Sequence, residues 1–294
     1  TESEKENQLR PFRFHGVEIE DKGYGQAIGI CPFCLKDGKF YVNTKNGLWD
    51  CKVCGRKGNP VTFLREIVKE LDESPPAALE KLREGRGLLD CETLSKWGVY
   101  KHHGEYLVGG RGVGAEVNNL YRYRQITEGG KRVYKLLPTP TLTHQLFGMG
   151  VYKKKAETVY LCEGPWDGMA LWEVLNRVKP EEDGTYSLTS NPLVSLGHVS
   201  AVVATPGCNV FNDSWFSLFS GKDLVLCFDN DYPRKVGENG SARNLDPASY
   251  GGMKRIVGIL SKCEAPPRSI KILSWVGSAE QTHNPKLPAG YDLR

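Results

Sequence analysis

Four cysteines stand at metal-ligand spacing near the start of the chain, as Cys31-Pro-Phe-Cys34 and Cys51-Lys-Val-Cys54, with sixteen residues between the pairs. Each CxxC makes a tight knuckle whose two thiolates converge, and two knuckles complete a tetrahedral cage for one structural zinc ion. Disulfide staples or a redox dithiol are the competing uses of such pairs, and no signal peptide precedes them to favour secretion. The other cysteines, Cys91, Cys162, Cys208, Cys227 and Cys263, are scattered. Three lie in or beside apolar runs, which suits buried free thiols in a reducing compartment.

A second set of residues could hold a harder cation. Glu163 directly follows the apolar run Thr158 to Cys162, and Asp229 and Asp231 follow the run Asp223 to Phe228. Carboxylates at neighbouring strand ends repel one another unless a divalent cation lies between them, and oxygen ligands select magnesium or manganese over zinc. Asp229-Asn230-Asp231 places both acids on one side if strand geometry continues, because side chains alternate with period two. A DxD also occurs in plain solvated turns; the Glu-Gly that ends a buried strand is what gives this one weight.

These groups need elements to position them. Strands are expected at 158–162, 199–204, 223–228 and 268–273, with a helix over 166–178, which makes a small doubly wound α/β sheet whose sites form at the carboxyl edge. Thr205-Pro206-Gly207 is a tight turn there. Ahead of it, short strands at 105–108, 120–125 and 133–136 carry a basic, tyrosine-rich pattern, with eight basic and three acidic residues from Lys96 to Lys135. Alternation puts Arg122 and Arg124 on one face, available to phosphates, and Tyr121 and Tyr123 on the other. The bland alternative is a solvated basic face.

In the ribbon, 39–42 and 47–50 read as strands around the Asn43 to Asn46 turn, with zinc supplying much of the stability. Asn59 caps a helix that starts at Pro60, carries the stripe Val61, Leu64, Val68 and Leu71, and stops at Ser74-Pro75-Pro76. A short helix over 77–83 runs into Gly85-Arg86-Gly87, a boundary.

The whole chain has 294 residues, 39% apolar and 25% charged, with mean hydropathy −0.42. That is a globular composition with room for about two domains, and it excludes disordered and fibrous classes. No apolar run approaches the ~18 residues of a membrane span. Residues 1–155 hold 26 basic and 19 acidic side chains, net +7, and residues 156–294 hold 13 and 16, net −3. The front half suits a polyanion and the back half a metal. With a polar Thr1 to Arg13 and no leader, an intracellular location is expected.

Leu161-Cys162-Glu163-Gly164-Pro165-Trp166-Asp167-Gly168-Met169-Ala170-Leu171, with Phe228-Asp229-Asn230-Asp231, resembles the Toprim motif. With the four-cysteine ribbon upstream, nearly the whole chain is similar to bacterial-type and phage-type DNA primases. Gly58 to Leu64 resembles the helix start after their ribbon; Leu89 to Gly98 and Tyr134 to Pro138 are looser matches. Four cysteines rather than three and a histidine is closer to phage primases, some of which continue into a ring helicase.

The resemblance implies an α/β and α+β multidomain protein, with an N-terminal zinc ribbon (β) followed by a polymerase domain with a Toprim doubly wound α/β core. Residues 1–87 would be the template-binding ribbon with trailing helices, 88–154 the basic part of the polymerase domain, and 155–294 the Toprim subdomain. Glu163, Asp229 and Asp231 would be catalytic and bind magnesium or manganese, with Asp167 a further acid and Asp292 a match to a late acidic motif. The activity would be synthesis of short RNA primers on single-stranded DNA for replication. Ribonucleoside triphosphates and a replicative helicase, in trans or on a longer chain, would be partners. No membrane is involved, and the setting would be a bacterial cytoplasm or a phage-infected cell.

Lys135, Arg122 and Arg124, with Arg111 behind them, are candidates for triphosphate or template backbone. Phe33, Tyr41 and Trp49, beside Lys39, Lys52, Arg56 and Lys57, would stack template bases. The alternative is a structural ribbon whose aromatic rings are core, above all Trp49 beside a ligand. Two other classes stay open. One is a Toprim nuclease or topoisomerase, although a type IA topoisomerase would need a nucleophilic tyrosine in a large later domain. The other is a catalytically silent single-stranded nucleic-acid adaptor.

Overall fold

The computed structural model describes residues 2–71, 76–176, 178–180, 186–188, 200–229 and 248–273. They fall into two compact units that interleave along the chain: residues 1–75, 99–112 and 116–145 in the first, and 76–98, 113–115 and 146–294 in the second. These units follow a different division from the three stretches expected from the sequence. The physical reason is shared core, because Tyr100, Leu107, Val117 and Leu120 of the basic sheet pack in one cluster with the ribbon's Phe12, Phe40, Trp49 and Phe63.

The first unit opens with helix α1 (Glu2–Phe14), which the polar N-terminal sequence does not announce. Leu9 and Phe12 anchor it in the core, and Pro11 between them is also buried. The ribbon is a five-stranded antiparallel meander of β1 (Ile19–Asp21), β2 (Gln26–Gly29), β3 (Phe40–Asn43), β4 (Trp49–Cys51) and β5 (Lys57–Gly58). Helix α2 (Pro60–Leu71) follows, with Asn59 as its cap: the Asn59 side-chain oxygen accepts from Thr62 N at 2.9 Å. Phe63, Leu64, Ile67, Val68 and Leu71 are its buried face.

Rings pack closely around this helix, with Phe12 4.9 Å from Phe63 and Phe40 5.3 Å from Trp49. Each buried aromatic contributes about 1.5–3 kcal/mol by burial. The ribbon therefore rests on an aromatic core as well as on its cysteines. A second antiparallel meander completes the unit: β6 (Val99–His102), β7 (Glu105–Arg111), β8 (Val117–Glu128) and β9 (Lys131–Pro138).

In the second unit, α3 (Glu80–Arg86) ends at Gly87, whose φ of 66° is the left-handed turn that glycine adopts without strain. Asp90 caps α4 (Cys91–Lys96), accepting from Glu92 N at 2.7 Å. Then come β10 (Thr158–Cys162), α5 (Pro165–Asn176), the small hairpin β11 (Val178–Pro180) and β12 (Tyr186–Leu188), β13 (Ser200–Ala204), β14 (Asp223–Cys227), α6 (Ala248–Leu260) and β15 (Ser269–Ile272). The four main strands match the apolar runs within a residue or two, and all pair in parallel in the order β13-β10-β14-β15.

One face of this sheet, with Val159, Leu161, Ala201, Val203, Leu224 and Leu226, packs on Met253, Ile256 and Leu260 of α6. On the other face α5 comes so close that a β-carbon at Gly168 would lie 3.1 Å from that of Ala204 and 2.6 Å from the Trp97 ring. Helices on both faces make the sheet doubly wound. No helix among the described residues is long and apolar enough to cross a membrane.

Candidate active site and metal centre

The acidic site is a product of strand order. The chain runs from β10 outward to β13 and then returns to place β14 on the other side of β10, so the connections diverge between β10 and β14. In open parallel sheets such a divergence leaves a crevice at the carboxyl ends of the two strands, and ligands bind there. Cys162 and Cys227 are level across these strands. Glu163 therefore leaves the end of β10 and Asp229 lies two residues beyond β14, one on each side of the crevice.

Asp167 joins them from the first turn of α5 and is buried, at 6% exposure. A β-carbon at Gly164 would lie 3.3 Å from its carboxylate, so the glycine leaves room for it. The charges of Asp167 and Asp229 both reach the buried Cys162 thiol. The hydrogen bond to Cys227 and burial are what chiefly hold that thiol far above its ordinary range, with the two carboxylates adding to it. The side chains at this edge offer hard carboxylate oxygen, the donor type that magnesium and manganese take, while among the described residues only the four cysteines bring three or more candidate ligand atoms within 4.8 Å of one another. Thr205, fully buried at the end of β13, fixes the edge from the side: its amide donates to Cys162 O at 3.0 Å and its hydroxyl to Glu163 O at 3.0 Å. Asp231 and Asp292 lie outside the described residues.

The four ribbon cysteines come together as the spacing predicts. Their sulfurs all lie within 4.8 Å of one another, with Cys31 to Cys54 at 3.9 Å and Cys34 to Cys51 at 3.6 Å. A tetrahedral zinc with Zn–S bonds of about 2.3 Å spaces its sulfurs about 3.8 Å apart. The cluster fits a structural zinc ion. Burial pushes the Cys31 thiol up to about 12. At Cys51 burial also pushes up, but hydrogen bonds from the Cys54 and Val53 amides, with those to Cys31 and Cys54, bring it down to about 7.

The aromatic residues of the ribbon behave differently from the stacking platform expected. Trp49 is 2% exposed, donates to Asn59 O at 2.9 Å and packs among Phe33, Phe40 and Phe63. It is core, so the expected base contact at Trp49 is corrected. Phe33 is half-buried under the Arg56 guanidinium at 4.7 Å, and Arg56 is itself tied to Glu70 at 2.6 Å. Lys52 pairs with Asp50 and lies 5.6 Å over the Tyr41 ring. Lys39 and Lys57 are exposed.

On the basic sheet, strand register does put Arg122, Arg124 and Lys135 on one face, and Tyr121, Tyr123 and Tyr134 on the other. Availability is another matter. Arg122, 19% exposed, is engaged by Glu105 and by the Phe14 carbonyl, so the expectation that it is open to phosphates is corrected. Arg124 shares Glu105 at 3.1 Å, and Lys135 pairs with Glu128 at 2.7 Å. Arg111 donates to the Tyr100 hydroxyl at 3.1 Å.

The sequence reading passed over the histidines. His15, His102 and His103 line a pocket of about 430 Å³ with Phe33, Phe63 and Glu70. His15 is held neutral, its pKa lowered to about 3 by burial, then by Arg122 and His102, and its Nε2 lies 2.8 Å from the Thr139 hydroxyl. Adjacent histidines at 102 and 103 were the only signal in the sequence.

No protein-family model matches the chain, and no curated protein matches it. Among solved structures, it is similar to the primase fragment of the bacteriophage T7 primase-helicase protein, at 13% identity and TM-score 0.39 over 84% of this chain and 88% of that one. It is similar to the zinc-binding and RNA polymerase domains of the Aquifex aeolicus primase, at 14% identity and TM-score 0.42 over 99% and 80%. The E. coli primase catalytic core matches at 13% identity and TM-score 0.44 over 73% and 72%. At these identities the likeness concerns chain path alone.

Proposed function

We propose that this chain is a DNA primase, joining ribonucleoside triphosphates into short primers on single-stranded DNA by metal-dependent nucleotidyl transfer. The observation that carries the reading is the placement of Glu163, Asp167 and Asp229 at the crevice between β10 and β14. Asp231 is assigned to the same acidic set from its sequence position, and Asp292 from its motif alone.

These carboxylates would hold magnesium or manganese, which when bound activates the attacking 3′ hydroxyl and neutralises charge on the departing pyrophosphate. Thr205 keeps the end of β10 from drifting, so that Glu163 and Asp167 keep their spacing. Backbone phosphates of template or triphosphate would be met by Arg124 and Lys135, whose acidic partners are exchangeable surface pairs worth little on their own. Lys39 and Lys57, both exposed, Lys52, whose surface pair with Asp50 is likewise exchangeable, and Tyr41 are the remaining ribbon candidates for the template. The setting would be the cytoplasm of a bacterium or a phage-infected cell, with a replicative helicase supplying unwound template.

The test is incubation of the chain with magnesium, mixed single-stranded templates and labelled ribonucleotides. A ladder of short oligonucleotides is expected, and Glu163→Ala or Asp229→Ala should abolish it without lowering the melting temperature. Near-normal synthesis by either variant would sink the site assignment. Nicking of duplex DNA instead would move the chain to a Toprim nuclease or topoisomerase, and binding with neither reaction to a silent adaptor.

A further inference from the structure

β7 accompanies β8 only as far as Tyr123, after which β8 pairs with β9 alone. Residues Arg124 to Lys135 are therefore a two-stranded arm, closed by the turn at Gly129 and Gly130. Its two faces differ in charge. On one, Arg124 is matched by Glu105 and Lys135 by Glu128. The other carries Gln125, Thr127, Arg132 and Tyr134, with Tyr123 at its base and no acidic residue.

On that second face Tyr134 is 59% exposed and stacks on Tyr123, with ring centroids 5.1 Å apart and planes 25° from parallel. Arg132 lies two residues from Tyr134 on the same face, and Lys131, across from Glu128, lies on the opposite face beside the turn. Both cations are exposed, and neither makes an ion pair among the described residues. The arm as a whole holds four basic residues and one acidic, net +3. An apolar protein partner would gain little from a face whose one aliphatic side chain, Leu136 opposite Tyr123, is half-buried at its base. An anionic strand that also presents flat rings matches it on both counts.

We propose that this face is a stacking site for single-stranded nucleic acid, in which a base continues the Tyr123 and Tyr134 stack on the outer side of Tyr134 while Arg132 takes a flanking phosphate. The proposal deepens the primase reading, whose template it would hold, and it places the base contact on the face opposite Arg124 and Lys135. The rings are already stacked on each other, so little side-chain freedom is lost on binding.

The experiment is fluorescence anisotropy of the zinc-loaded full chain with a labelled single-stranded oligodeoxynucleotide of mixed sequence, titrated at several salt concentrations. Tyr134→Ala should weaken binding roughly tenfold with an unchanged salt slope, and Tyr134→Phe should stay within about twofold of the unaltered chain, since stacking needs the ring and not the hydroxyl. Arg132→Ala should weaken binding and reduce the slope by about 0.7, one phosphate's worth for a single strand. Tyr24→Ala, which removes an exposed tyrosine elsewhere, should change nothing.

Unchanged binding by Tyr134→Ala overturns the proposal, as does an equal loss in Tyr134→Phe. Thermal melting checks that each variant is folded. If the unaltered chain binds the oligonucleotide through Tyr134 yet makes no primers, the primase reading fails and the stacking site stands. If it makes primers while binding is indifferent to Tyr134, the stacking site fails and the reading stands.

Discussion

Replacing Gly168 by alanine adds one carbon where α5 meets the rest of its unit. That β-carbon would lie 2.6 Å and 3.0 Å from two atoms of the Trp97 ring and 3.1 Å from the Ala204 β-carbon. Carbon atoms settle at about 3.5–4.0 Å, so the tightest pair must part by about 1 Å. The ring has nowhere to retreat: Trp97 is 1% exposed, and a β-carbon at Gly148 would meet it from elsewhere at 2.8 Å. Relief therefore comes from α5 moving outward, and Asp167, the preceding residue, moves with it.

Overpacking costs about 1–3 kcal/mol, and alanine's better helix propensity returns about 1 kcal/mol. A net loss of about 1 kcal/mol lowers the melting temperature by about 2–4 °C in a unit of this size. The effect on chemistry should be far larger, because displacing a positioned group by about 1 Å costs on the order of a hundredfold in rate. Thermal melts and metal-dependent primer synthesis, run on the same preparation, read both quantities. The double variant Trp97→Leu with Gly168→Ala should recover part of the loss, as contacting residues couple. Full activity in Gly168→Ala, or strictly additive costs in the cycle, would refute the argument.

Metal analysis should return one zinc per chain. Chelation should expose the Cys31 and Cys51 knuckles to thiol reagents while near-ultraviolet circular dichroism of the aromatic core persists, because that core does not depend on the metal alone; its complete collapse would refute this. His15 binds its proton less readily folded, at about 3, than unfolded, near 6.5. Its contribution to stability is full above pH 6.5 and is lost as pH falls from about 6.5 toward 3, so His15→Gln should flatten the fall in melting temperature over that window. Arg122→Ala should lower the melting temperature, since it takes one of two guanidinium partners from Glu105 and the side-chain donor from the Phe14 carbonyl, and should leave the salt slope of oligonucleotide binding unchanged; a reduced slope would return Arg122 to the phosphate contacts.

What was legible in the sequence was what periodicity and spacing encode locally. The strands ending at Cys162, Ala204 and Cys227 are short apolar runs bounded by acids or turn residues, and the knuckles are fixed by two-residue spacers. The order β13-β10-β14-β15, which brings Asp229 beside Glu163, is a tertiary choice that no local pattern carries. Arg122 was misjudged for the same reason. Its face follows from alternation, but its capture by Glu105 depends on the register that sets Leu107 opposite Arg122. Trp49 looked like a platform because aromatic residues beside lysines suit one, and only the depth of the cluster around Phe63 shows it buried. Helix α1 leaves little trace in the sequence, since its apolar residues Leu9, Phe12 and Phe14 all fall in its last six positions, with Pro11 among them.

Trp97 belongs to a segment, 76–98, whose unit is completed only by residues after 145. During synthesis this segment leaves the ribosome before the glycines that will enclose its tryptophan. The 71 residues separating Trp97 from Gly168 take on the order of 10 s to translate. For that interval the segment waits for the later residues that complete its unit. Translation speed and chaperone supply are therefore expected to affect the yield of the folded chain.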